Sequence, residues 1–121
     1  MYEKIFGESF VAKLPAETLD DMRQRFYDRY IDHRHCLIRL TEAQNPFFGE
    51  LDDNLPGYRA IQTPTLTFAG SQDRAIPLWA QKKICGILPN SRWMELEGAG
   101  HVVYLERPDV FFPVLRAFME A

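Results

Sequence analysis

Residues 61–121 hold two short apolar runs that each stop near a glycine and each lead into a proline-opened helix. This order constrains the fold more than any other feature. The first run, Thr65-Leu66-Thr67-Phe68-Ala69, ends at Gly70. It has the length and β-branched content of a buried parallel strand. Pro77 then opens a helix carrying Leu78, Trp79, Ile84 and Ile87, which Pro89-Asn90 ends. The second run, Arg92-Trp93-Met94-Glu95-Leu96, is stopped by Gly98. Pro108 opens the last helix, with Val110, Phe111, Val114, Leu115 and Phe118 as its apolar residues and Pro113 within its early turns. Strand, helix, strand, helix is the order of an α/β unit. It predicts two parallel strands joined by a right-handed crossover.

The first half has another character. Leu19, Met22, Phe26 and Tyr30 recur at helical spacing, and Leu37 extends the series. Pro15 suits a helix start, and Glu17, Asp20 and Asp21 follow where the helix dipole favours acids. We expect an amphipathic helix over 16–32 and a second helical stretch over 33–42, broken by Asn45-Pro46. Residues 46–60 read as a loop. The expected organisation is a helical segment, 1–60, followed by an α/β segment, 61–121.

Composition narrows the function. The chain has 121 residues, 46% of them hydrophobic and 26% charged, with a net charge of −3. It is a one-domain length of ordinary globular make-up, without the basic stripe that nucleic-acid binding needs. No apolar run is long enough to span a membrane, and the first residues lack the apolar core of a signal peptide, so the expected location is the cytoplasm. Cys36 and Cys85 are too few and too far apart for a disulfide framework or a metal motif. Both read as half-buried packing residues. With three histidines and no paired cysteines, no metal site is expected.

Two candidate site residues follow the strands. The first strand runs into Gly70-Ser71-Gln72-Asp73 and the second into Gly98-Ala99-Gly100-His101. Open parallel sheets place their sites just past the carboxyl ends of their strands. Neighbouring parallel strands would therefore project Asp73 and His101 from one edge. A carboxylate beside an imidazole fixes its tautomer and lets it act as a general base. Taken alone, each residue has a plain explanation: an Asp after Gly is commonly a turn former. His33 and His35 keep their surface reading, Trp79 and Trp93 read as packing residues, and Glu106 reads as an anchor for the turn after His101.

The ordered set of pieces resembles the carboxyl-terminal end of an α/β-hydrolase. Residues 64–73 resemble that family's penultimate strand and acid turn, with Ile76-Pro77 at the family's spacing. Leu88-Pro89-Asn90-Ser91 precedes the last strand. Gly98-Ala99-Gly100-His101, with Glu106-Arg107-Pro108 and Phe112, resembles the family's histidine turn and final helix. The resemblance covers residues 61–121. It implies that Asp73 is the catalytic acid and His101 the catalytic base, and that residues 1–60 are part of the helical cap many members carry.

The family's nucleophile sits in a G-x-S-x-G elbow, and this sequence has none. Ser9 lies in Gly7-Glu8-Ser9-Phe10-Val11, without the second glycine, Ser71 lies inside the acid turn, and Ser91 precedes the last strand. The resemblance implies a segment that supplies acid and base to Ser-His-Asp hydrolysis of an ester, amide, thioester or carbon–carbon bond, with no cofactor. Alone it would be inactive. Two other readings stay open: a non-catalytic, oligomerising binding module, and part of an Asp-nucleophile dehalogenase or epoxide hydrolase. The strand around Leu66 would present an open edge, where self-association or pairing with a nucleophile-bearing chain is expected.

Overall fold

The structure is a computed structural model that describes residues 5–50 and 52–121, with backbone alone for 47–49. The opening residues, 1–4, read above for a leader, lie outside the described residues. Among the described residues seven α-helices and two strands follow in the order α1 (Glu8–Val11), α2 (Ala16–Tyr30), α3 (Arg34–Gly49), α4 (Leu55–Arg59), β1 (Thr65–Gly70), α5 (Leu78–Ile87), β2 (Ser91–Leu96), α6 (Val103–Glu106) and α7 (Pro108–Met119).

The two strands pair in parallel, with Thr65 opposite Ser91 and Gly70 opposite Leu96. Side chains alternate between faces along a strand, and their contacts show what covers each face. On one face Ser91, Trp93 and Glu95 meet α5, and Thr67 lies beside Ser91. Cys85 Sγ lies 2.9 Å from Ser91 Oγ, Lys82 Nζ lies 3.2 Å from Glu95 Oε2, and the same ammonium stands over the Trp93 ring. On the other face Phe68 packs on Phe111 of α7 with ring centroids 4.4 Å apart. Leu96, Ala99 and Val103 form the buried core there, joined by Met94 and Val110. Helices thus cover both faces of a two-stranded parallel sheet, the partial α/β architecture that the sequence leads one to expect.

The core is small. Among the described residues no large side chain is fully buried, and most of β1 is only half-buried. β1 has β2 as its one neighbour among the described residues. Backbone groups on a strand alternate sides, and Thr65 and Ser71 donate toward Asn90 and Leu96. Leu66 and Phe68 therefore turn their peptide groups to the unpaired edge.

The helical half departs from expectation in three places. The first helix stops at Tyr30, and Ile31–His33 form a 3-10 turn before α3 starts at Arg34. Helix α3 runs through Pro46 to Gly49 instead of breaking at Asn45-Pro46. Proline forfeits one amide bond, to the carbonyl four residues back. At the thirteenth of 16 positions that loss falls in the final turns, and the Pro46 carbonyl still accepts from Glu50 N at 3.1 Å. Residues 55–59, expected as loop, form the short helix α4, with Pro56 in its first turn, where a missing amide costs nothing.

Two packing expectations also fail. Trp79 is 71% exposed and Cys36 is exposed. Both lie on the solvent side of their helices, a side that helical spacing alone does not assign. His33 and His35 are exposed.

Candidate active site

The acid turn is built from its own backbone. Gly70 closes β1 where a Cβ would stand 2.0 Å from the Gly100 carbonyl oxygen, so only glycine lets the two turns touch. The chain then bends until the amides of Ala75 and Ile76 donate to Asp73 Oδ1, at 2.8 and 2.9 Å. Gln81, one turn into α5, reaches back to the same carboxylate, its Nε2 donating to Oδ2 at 3.0 Å. His101 Nδ1 lies 3.0 Å from Oδ2 as well.

Four donors thus saturate the four lone-pair positions of one carboxylate. The side chain of Asp73 is only 4% exposed. Burial, the largest single influence, pushes its carboxyl upward. The donors Ile76 N, His101 Nδ1 and Ala75 N, with the charge His101 can carry, together outweigh it and hold Asp73 below its ordinary value of 3.8. An ionised carboxylate only accepts, so the proton between the two rests on Nδ1 of His101. The neutral ring then presents Nε2 as a base. Nε2 has no protein partner among the described residues, and the His101 side chain is 42% exposed.

The histidine turn is fixed from three sides. Gly98 adopts a left-handed φ of 73°, and its amide donates to Ser71 Oγ at 2.8 Å, which ties this turn to the acid turn. Glu106 is nearly buried. Its Oε2 accepts from the amides of Gly7 and Gly100, both at 2.8 Å, and its Oε1 from Val102 at 3.3 Å. The His101 amide donates to the Ile5 carbonyl at 2.7 Å. A Cβ on Gly100 would stand 2.3 Å from the Gly7 nitrogen, so the N-terminal strap and the histidine turn pack backbone on backbone.

Asp73 and His101, separated by 28 residues, are therefore in contact. Glu106 serves as the anchor its position suggested. Ser9 is exposed on α1, its amide donating to Gln72 Oε1 at 3.3 Å, and Ser91 stands at the opposite end of the sheet from the pair. Sequence reasoning missed Gln81 and the strap at Ile5–Gly7. Neither carries a local signal: a Gln in a helix and a Gly before a short helix gain meaning only from partners far along the chain. Among the described residues no group of His, Cys, Asp and Glu could hold a metal ion, and no helix is long and apolar enough to cross a membrane.

Known proteins resemble this chain in sequence and fold. The sequence pattern of the alpha/beta hydrolase family matches residues 3–114. Mouse protein ABHD14A is 35% identical over 63 residues, which are 52% of this chain and 25% of that protein. The structure of a thermophilic esterase superposes on 99% of this chain and 43% of its own, at a TM-score of 0.72 and 26% identity. The structure of Rv0554 from Mycobacterium tuberculosis matches 55% of this chain and 24% of its own, at a TM-score of 0.52 and 30% identity. The chain spans about a quarter or less of the length of the first curated relatives it matches. With a family pattern running over nearly its full length and the family's fold in the structure, the chain belongs to the alpha/beta hydrolase family.

Proposed function

We propose that Asp73 and His101 are the acid and base of a hydrolytic centre whose nucleophile comes from a polypeptide segment outside this sequence, seated along the free edge of β1. The observation that carries this is the 3.0 Å contact between His101 Nδ1 and an aspartate saturated with donors, with Nε2 left open. In the reaction, Nε2 takes the proton of an attacking hydroxyl as its oxygen bonds to the substrate carbonyl carbon. The protonated ring gives that proton to the leaving group as the scissile bond breaks. Water, deprotonated by the same Nε2, then bonds to the acyl carbon, and the ring returns the proton to the nucleophile oxygen as its bond to that carbon breaks. Asp73 steadies the imidazolium formed in each half.

Ester substrates are the first choice, because a structural relative that covers nearly the whole chain is an esterase. In this reading residues 1–60 act as a lid over the substrate. A shallow depression of about 400 Å³ between α2 and α3, lined by Phe26, Tyr27, Tyr30, Ile31 and Leu37 together with Arg23 and Arg34, supports an apolar acyl or aromatic group.

The chain alone should turn over p-nitrophenyl acetate at the background rate, and a serine-directed fluorophosphonate should leave it unlabelled. Robust turnover abolished by His101→Ala would show that the chain holds its own nucleophile and would overturn the reading.

One observation favours a second reading, a non-catalytic oligomerising module. The chain exposes 8915 Å², whereas a compact protein of 14.1 kDa exposes about 6,700 Å². The excess, roughly 2,200 Å², is larger than the approximately 1,600 Å² that a standard interface removes from both partners.

A further inference from the structure

We propose that Gln81 is a positioning residue for the acid–base pair, holding Asp73 Oδ2 in the orientation that His101 Nδ1 requires. The proposal rests on the functional reading above and adds a member to the same site.

The geometry leaves Gln81 little freedom. Its Nε2 lies 3.0 Å from Asp73 Oδ2 and 2.7 Å from the Ile76 carbonyl oxygen. Both neighbours only accept, so the amide nitrogen must face them and both its hydrogens are used. The side chain leans toward the N-terminus of α5, as helical side chains do, and this brings it over the acid turn. Pro77 begins the helix, and the Gln81 amide bonds back to the Pro77 carbonyl at 3.3 Å, which sets the phase of residue 81 against residue 73.

The two carboxylate oxygens have different supports. Oδ1 is held by two backbone amides of its own turn. Oδ2 has two side-chain donors from elsewhere, Gln81 and His101. Without Gln81 the oxygen that meets the imidazole has no other fixed partner, and the carboxylate can pivot about its Oδ1 bonds. Gln81 also links Oδ2 to the Ile76 carbonyl, so the acid turn and α5 move as one piece. The nearby charges, Arg74 and Glu8, pair with each other at 3.2 Å across the turn.

The test is an NMR titration of the full chain, followed through the Asp73 carboxyl carbon and the His101 ring nitrogens. Gln81→Met keeps the shape and removes the donor. We expect the proton affinity of the Asp73 carboxylate to rise roughly fivefold, the worth of one hydrogen bond, and the Nδ1–H tautomer share of neutral His101 to fall. Gln81→Glu, which folds around nearly the same volume, should raise that affinity further by placing a second carboxylate beside the first. Lys83→Ala, exposed on the same helix, should change neither readout. A folded Gln81→Met or Gln81→Glu protein in which the Asp73 titration or the His101 tautomer stays at its wild-type value overturns the proposal. The measurement needs no nucleophile, so its outcome is independent of the ester assay that tests the functional reading.

Discussion

A carboxylate with four donors is a pH-sensitive prop as well as a catalytic candidate. Asp73 is held below 3.8 in the fold. A depressed carboxyl contributes stability that is whole above its unfolded value and drains away as pH falls through its folded value. Asp73→Asn should therefore lower the urea midpoint at neutral pH and flatten the loss of stability between pH ~4 and the folded value. Equal midpoint losses at neutral and strongly acidic pH would contradict this. At the same scale, two glycines fail differently under substitution. Gly98 is strained by its φ alone, since its nearest side-chain neighbour, on Ser9, would lie 3.5 Å from a Cβ; that strain is worth about 1–2 kcal/mol. Gly100 is blocked by backbone that cannot yield, so alanine there displaces the whole N-terminal strap. The spacing of Asp73 and His101 after their strands was legible because strand ends and glycine turns are local signals. Glu106 was legible from its place after the histidine turn, whereas Gln81 and the strap at Ile5–Gly7 are set by contacts that no spacing announces.

Helix α3 shows where element boundaries escape a sequence reading. A proline is commonly taken as the end of a helix because it loses one bond and crowds the preceding turn. Position decides whether that loss matters, and at Pro46 three further residues continue the helix. Pro46→Ala should restore the amide bond to Glu42 and raise helix stability by about 1–3 kcal/mol. The far-ultraviolet helical signal should grow and its thermal midpoint rise; an unchanged or weaker signal would mean the proline sits in a turn that prefers it. The two strands and two longer helices of the α/β half were legible, and the four-residue α6 was not foreseen. Its apolar runs are continuous and too short for helices, and glycine or proline flanks both strands and opens both longer helices. The helical half is half-covered at best, so its amphipathic stripe fixed where helices lie but not what they pack against.

At the scale of the whole molecule the sheet is covered on its faces and open at its edge. Leu66 and Phe68 turn unpaired peptide groups outward beside apolar side chains, a template for another strand. The chain alone should sediment as a concentration-dependent oligomer. Leu66→Pro removes one outward donor while leaving the β2 side of the ladder intact, so it should shift the population toward monomer with its helical signal retained. A monomer at every concentration in the unmodified chain would remove the edge as the assembly surface. The Glu106 clamp has a consequence of another kind, for the order in which the chain folds. It joins Gly7 to a residue 99 positions away, among the longest closures the chain could make. Loop closure of that length costs entropy before any contact rewards it. The strands and their helices can form from nearby partners, but the histidine turn gains its last tether only when both ends of the chain meet. His101 is thus finished late, and weakening the clamp should hasten unfolding more than it slows folding.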